Sequence, residues 1–78
     1  MYTVYILKCS DNSLYTGIAT NLESRLETHQ EGKGSKYVRV RLPFKVVFRE
    51  KHKNRSEATK REMAIKKMSR EKKLALIN

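Results

Sequence analysis

Residues 1–19 read MYTVYILKCSDNSLYTGIA, and the fold turns on how this stretch pairs with itself. β-Branched and aromatic side chains dominate positions 1–9 and return at 14–19, a composition that suits pleated strands. Between them stand Asp11, Asn12 and Ser13, whose short polar side chains close turns on their own backbone. The stretch therefore reads as a β-hairpin. A three-residue loop at Asp11–Ser13 pairs Ser10 with Leu14, Ile6 with Ile18 and Tyr5 with Ala19. On that register Val4, Ile6, Leu14 and Ile18 share one face, and Tyr5, Leu7, Cys9, Tyr15 and Gly17 share the other. A two-residue loop would scatter the aliphatic side chains over both faces, because a slip of one residue turns every side chain over.

Downstream of the hairpin, Thr20-Asn21-Leu22-Glu23 has the form of a capping box, with Thr20 as N-cap and Glu23 reaching back. The helix it opens runs to about Gln30 and stops at Gly32 and Gly34. Residues 31–43 read as a basic loop carrying Lys33, Lys36, Tyr37, Arg39 and Arg41. Phe44–Lys51 alternates, with Phe44, Val46 and Phe48 on one face, and is expected to form a third strand. Ser56 is the expected cap of a second helix running to about Met68, and Ser69 that of a last short helix through Ile77. The order is β-β-α-β-α-α, an α+β domain over residues 1–78 with a three-stranded antiparallel sheet flanked by helices.

A chain of 78 residues holds one core, and its apolar content of 38% allows only a thin one. It carries eighteen Lys and Arg against eight Asp and Glu, a net charge of +10. The charge is uneven: residues 1–44 hold six basic and four acidic side chains, and residues 45–78 hold twelve and four. Such a field captures polyanions, so nucleic acid is the expected partner. An acidic membrane is a poorer match, since no long amphipathic segment pairs Trp or Phe with the lysines. No apolar run approaches the roughly 20 residues of a membrane helix, and the N-terminus lacks a signal-peptide layout. Cys9 is the one cysteine, which excludes an internal disulfide and a multi-cysteine metal site and makes a cytoplasmic setting the expectation.

Several residues fall out of pattern. On the first helix Leu22, Leu26 and His29 form a stripe about 60° wide at ~100° per residue, with Arg25 flanking it. Arg25 and His29 thus sit at the edge of a buried face, either packing over the core or serving a site. On the second helix Ala58 and Ile65 mark the apolar side, and Glu62 falls between them. A carboxylate there is costly unless paired, so it is either an internal ion pair, for instance to Arg25, or a metal ligand. Glu57 is explained by the helix dipole. Tyr5 and Tyr15 suit core packing with a partnered hydroxyl. Gly17 weakens its strand and marks a close approach. Cys9 suits a small buried hydrophobe, and His52, in a basic run, is expected in solvent.

In order and spacing these residues resemble the GIY-YIG nuclease domain. Thr3-Val4-Tyr5 stands where that family has Gly-Ile-Tyr, and Tyr15-Thr16-Gly17 where it has Tyr-Ile-Gly. Leu22–His29 is similar to the family's Arg-bearing helix, which often ends in His. Ser56–Glu62 is similar to the helix that carries its metal-binding glutamate, at Glu62. The resemblance covers nearly the whole chain and is nearest to short stand-alone bacterial members and to the nuclease module of a bacterial excision-repair subunit. Thr3 and Thr16 depart from the pattern, while both tyrosines and Gly17 keep to it. A late asparagine seen in some members has no clear counterpart, Asn78 being terminal.

The resemblance implies a metal-dependent endonuclease that hydrolyses DNA phosphodiester bonds in repair or processing. Glu62 would hold one Mg²⁺ or Mn²⁺, since one carboxylate with phosphate oxygens and water suits an ion that dehydrates reluctantly. Arg25 would pair with phosphate oxygens, which its planar fork matches. Tyr5 would be the general base or relay a proton to it, its pKa brought down from about 10 by the metal and Arg25. Tyr15 and His29 would orient or assist the water. Charge, not motif, adds Lys36, Tyr37, Arg39 and Arg41 as nucleic-acid contacts. The alternative is a non-catalytic nucleic-acid-binding module of the same fold. The domain works either alone or beside a protein partner that supplies substrate selection.

Overall fold

A computed structural model describes residues 1–77; Asn78 lies outside the described residues. The hairpin pairs β1 (Tyr2–Cys9) with β2 (Leu14–Ala19), antiparallel. Its loop has three residues, but they are Ser10–Asn12: Cys9 N–H donates to Ser13 O and Asn12 N–H donates to Cys9 O, both at 2.9 Å. Asn12 takes φ 69°, the left-handed region that asparagine tolerates, and this closes the turn one residue earlier than expected. Lys8 therefore faces Leu14, Ile6 faces Thr16 and Tyr5 faces Gly17, instead of the expected Ser10–Leu14, Ile6–Ile18 and Tyr5–Ala19 pairs. Each partner moves by two residues, so both faces of the hairpin keep their expected side chains. The consequence for function is that Gly17 lies directly across from Tyr5.

The third strand, β3 (Phe44–His52), pairs antiparallel with β1, giving the sheet order β2-β1-β3. Central β1 is the most buried element, with Val4, Tyr5, Ile6 and Leu7 at 0% exposure. β3 does not alternate throughout. Ile6 faces Phe48 but Leu7 faces Val46, so Val47 is an extra residue at a bulge. The bulge reverses the phase: Phe44 and Val46 join the Tyr5 face, while Val47 and Phe48 join the Val4 face. The expected common face for Phe44, Val46 and Phe48 is thereby corrected.

Each face of the sheet is covered by its own helices. Val4 and Ile6 pack against Ala58 and Ile65 of α3 (Arg55–Lys67), with Leu76 and Ile77 of α4 (Arg70–Ile77) closing the far side. On the other face Tyr5, Leu7 and Ala19 meet Val38, and Leu22 and Leu26 of α1 (Leu22–Gln30) flank them. Val38 belongs to a single helical turn, α2 (Lys36–Arg39), within what was expected to be an open basic loop. Burying that one valine completely gives the segment a reason to fold.

Asparagine sets two of the helix starts. α1 is capped by Asn21, not Thr20, with its side-chain oxygen 3.0 Å from Ser24 N. α3 is capped by Asn54, not Ser56; its oxygen accepts from Glu57 N at 2.9 Å and its amide donates to the Glu57 carboxylate at 3.1 Å. Ser69 does cap the last helix, accepting from Lys72 N at 3.2 Å. His52 is partly buried rather than solvated, its Nε2 lying 2.7 Å from Glu50, which also takes Arg61 Nε at 2.9 Å.

Candidate active site

β2 is an edge strand, and α1 and α3 cover opposite faces of the sheet beside it. A cleft of about 450 Å³ follows that edge and collects side chains from both layers. Tyr5 comes from β1, Tyr15 and Gly17 from β2, Arg25 from α1, and Arg55, Thr59 and Glu62 from α3. The expected residues Tyr5, Tyr15, Arg25 and Glu62, separated by as many as 57 positions between Tyr5 and Glu62, thus line one cleft. His29 does not line the cleft; it stands behind Tyr5.

Tyr5 is completely buried, and its hydroxyl lies 3.0 Å from His29 Nε2. Its ring lies over Gly17, where an added Cβ would be 2.6 Å from the Tyr5 hydroxyl oxygen and 2.7 Å from Cζ. The glycine is therefore needed for the ring to reach the cleft across the sheet. Burial pushes the Tyr5 phenol up to about 12, with Tyr15 adding to the rise and the Arg25 guanidinium opposing it. The expected lowering by Arg25 is present in sign, but burial and the neighbouring Tyr15 outweigh it.

His29 is 1% exposed and packs edge-on against Tyr15 and Phe44, with ring centroids 5.5 and 6.1 Å away. Burial, and then the Arg25 charge, lower its pKa, so the imidazole is neutral near pH 7. Its Nδ1 has no hydrogen-bond partner among the described residues and abuts Gly34, where a Cβ would lie 2.6 Å away. The Tyr5 hydroxyl and the neutral imidazole share one proton across this contact, and the imidazole tautomer sets which of them donates.

Arg25 is exposed on the rim, one turn before His29. Glu62 has a side chain 19% exposed, and its ion pair is with Lys66, at 3.3 Å one turn along α3, rather than with Arg25. No group of three or more His, Cys, Asp and Glu side chains converges anywhere among the described residues. One carboxylate beside phenols and two threonines does not make an all-protein cage. It does fit a hard divalent ion that keeps several waters and takes its remaining oxygens from a phosphate.

The four residues expected from charge to meet nucleic acid lie on or just after α2. Lys36 and Arg39 are exposed. Tyr37 and Arg41 already have internal partners: Tyr37 stacks on Tyr15 at 5.9 Å, and the Arg41 guanidinium sits 3.8 Å from the Tyr37 ring centroid. Arg41 Nε also donates to Asp11 at 3.0 Å. The ladder Asp11–Arg41–Tyr37–Tyr15 braces one side of the cleft. Sequence reading missed Arg55 and Thr59. Placing the cap at Ser56 left Arg55 outside the helix, whereas it is the first helical residue, a position where the dipole disfavours a cation.

Comparison with known proteins gives a consistent result. A family model described as the GIY-YIG catalytic domain matches residues 1–75. A UPF0213 protein of Staphylococcus haemolyticus is 53% identical over 74 residues, covering 95% of this chain and 90% of the relative. A UPF0213 protein of Staphylococcus aureus matches with the same identity and coverage. The solution NMR structure of a UPF0213 protein from Bacillus halodurans superposes with a TM-score of 0.64 at 42% identity, covering 99% of this chain and 83% of that one. The solution NMR structure of an E. faecalis protein gives 0.66 at 43%, covering 92% and 77%.

Proposed function

The chain belongs to the GIY-YIG family, and from that premise we propose that it is a divalent-metal-dependent endonuclease hydrolysing DNA phosphodiester bonds. The observation that carries this reading is the cleft at the edge of β2. There the phenols of Tyr2, Tyr5 and Tyr15, the guanidiniums of Arg25 and Arg55 and a single carboxylate, Glu62, meet from four separate elements. Phosphodiester hydrolysis needs a positioned water, counter-charge for the transition state and a fate for a proton.

In this reading Glu62 holds one Mg²⁺ or Mn²⁺, which when bound supplies Lewis-acid stabilisation of the scissile phosphate. Arg25 reaches the non-bridging oxygens from the opposite layer. Tyr15, half-buried in the wall, orients the water. Tyr5 has no exposed surface, which favours a proton relay over direct attack on bulk water. His29 acts through Tyr5: in the tautomer that carries its proton on Nε2 it donates to the phenol oxygen and favours its charged form, as does the neighbouring Arg25. Lys36 and Arg39 add phosphate contacts from α2. The setting is cytoplasmic DNA repair or processing, with substrate selection supplied by a protein partner. Among the described residues no helix is long and apolar enough to cross a membrane.

The alternative is a nucleic-acid-binding module without turnover. It is favoured by the Glu62–Lys66 pair and by the high Tyr5 pKa, which both suit a resting site. The deciding experiment is cleavage of single-stranded, nicked and branched DNA with Mg²⁺, Mn²⁺ or EDTA, with wild type beside Glu62→Ala. Metal-dependent cutting lost in a folded variant supports the nuclease. Salt-sensitive binding by both proteins with no cutting under any metal supports the module and overturns the enzyme.

A further inference from the structure

A second cleft, of about 470 Å³, opens beside the first and shares Thr20 with it. Its walls include Thr3, Asn21, Glu23, Arg49 and Lys51. Arg49 and Lys51 are alternate residues of β3 and face Tyr5 and Thr3 across the sheet, so both project on the side covered by α1. Both are exposed, and neither meets a carboxylate within ion-pair distance among the described residues. The contrast with the residue between them is informative. Glu50 points to the other face and is held there by Arg61 and His52, so the strand's one acidic side chain is turned away from the two free cations and neutralised. Glu23 is the single carboxylate in the second cleft, set against two positive charges.

We propose that this second cleft binds the backbone phosphates flanking the scissile one, so that a nucleic-acid strand runs from the site at β2, past Thr20, onto Arg49 and Lys51. The inference rests on the reading of the first cleft as a phosphodiester site. It differs from the track along Lys36 and Arg39, which starts from α2. Two adjoining clefts separated by one threonine have the form of consecutive subsites. Their cations, Arg25 and Arg55 in one and Arg49 and Lys51 in the other, are divided between two clefts, which suits successive phosphates rather than a single anion. The contacts are to the backbone, so this surface would position a strand without reading its sequence.

The test is binding of a labelled oligothymidylate and a labelled duplex in EDTA, measured by fluorescence anisotropy across a series of salt concentrations. Wild type is compared with Arg49→Gln/Lys51→Gln and with a charge-matched control, Lys67→Gln/Lys72→Gln. Each phosphate contact contributes about 0.7 to the logarithmic salt slope on a single strand, so loss of two flattens it by about 1.4. The control is expected to keep most of the wild-type slope. Equal flattening in both variants would mean a diffuse field and would overturn the subsite, as would an unchanged slope in the Arg49/Lys51 variant. Amide shifts in the wild-type protein guard against misfolding of that variant: oligothymidylate should move Thr3, Asn21, Arg49 and Lys51, and their silence during saturable binding would also overturn it. If wild type binds neither probe at low salt, the proposed function itself fails.

Discussion

Tyr5 and His29, from the central strand and the last turn of α1, meet through one buried hydrogen bond of 3.0 Å between the phenol oxygen and Nε2. The bond ties α1 to the sheet directly behind the cleft, and both of its partners require a glycine to be where they are: Gly17 beneath the Tyr5 ring and Gly34 against His29 Nδ1. The pair is thus held by backbone on either side.

His29 makes the fold acid-sensitive. Its pKa in the folded protein lies below the unfolded value of about 6.5, so the unfolded chain binds the extra proton first. Stability is full above about 6.5 and is lost as pH falls through the folded value. Urea midpoints should fall between pH 6.5 and 5.5 in wild type, with a flatter profile in His29→Phe, where carboxylate titration has little weight. Parallel profiles for the two proteins would remove His29 as the cause.

Gly17→Ala is expected to destabilise by about 1–3 kcal/mol, the usual range for forcing extra volume into a packed site. The added methyl falls 2.6 Å from the Tyr5 hydroxyl. If that contact is the reason, the cost shrinks when the substitution is made in Tyr5→Ala, and a double-mutant cycle in urea returns a coupling beyond about 0.5 kcal/mol. Additive costs would place the glycine's role in backbone freedom instead.

Much of this arrangement could be read before the structure was seen, and the misses have physical causes. Alternation in residues 1–19 was enough to assign the faces, because a shift by two residues leaves side-chain parity unchanged. Yet the register itself turned on Asn12 taking a left-handed backbone, which composition does not signal. The Val47 bulge is similarly silent, since one inserted apolar residue in an apolar strand looks like continued alternation. Arg25 was legible as a charge flanking an apolar stripe and Glu62 as one lying on it. Arg55 was not, because its position depended on which of Asn54 and Ser56 caps α3. Tyr37 and Arg41 looked like free contacts, and only the fold shows that they are stacked on Tyr15 and on each other.

Arg55 separates stability from activity. At the first residue of α3 its charge opposes the helix dipole, so Arg55→Gln should raise the unfolding free energy by about 0.3–1 kcal/mol and with it the melting temperature slightly. If Arg55 contacts substrate in the cleft, the same variant raises KM more than it lowers kcat. A more stable protein with unaltered KM would leave Arg55 without a role in binding.

Lys66 is placed to compete with a metal ion for Glu62. The two side chains form an i,i+4 pair at 3.3 Å, with Lys66 more than half exposed. A pair of this kind contributes about 0–1 kcal/mol, so Lys66→Gln should scarcely alter stability. The freed carboxylate should bind a divalent ion up to about fivefold more tightly, the equivalent of that energy. Glu62→Gln should abolish the binding while keeping the shape of the side chain. Paramagnetic broadening of amides along α3 by Mn²⁺ reads both effects without any need for turnover. The expected order of apparent affinity is Lys66→Gln, wild type, then Glu62→Gln. Broadening that survives Glu62→Gln would move the ion to other ligands. Weaker binding in Lys66→Gln would show that the lysine orients Glu62 for the metal instead of competing with it.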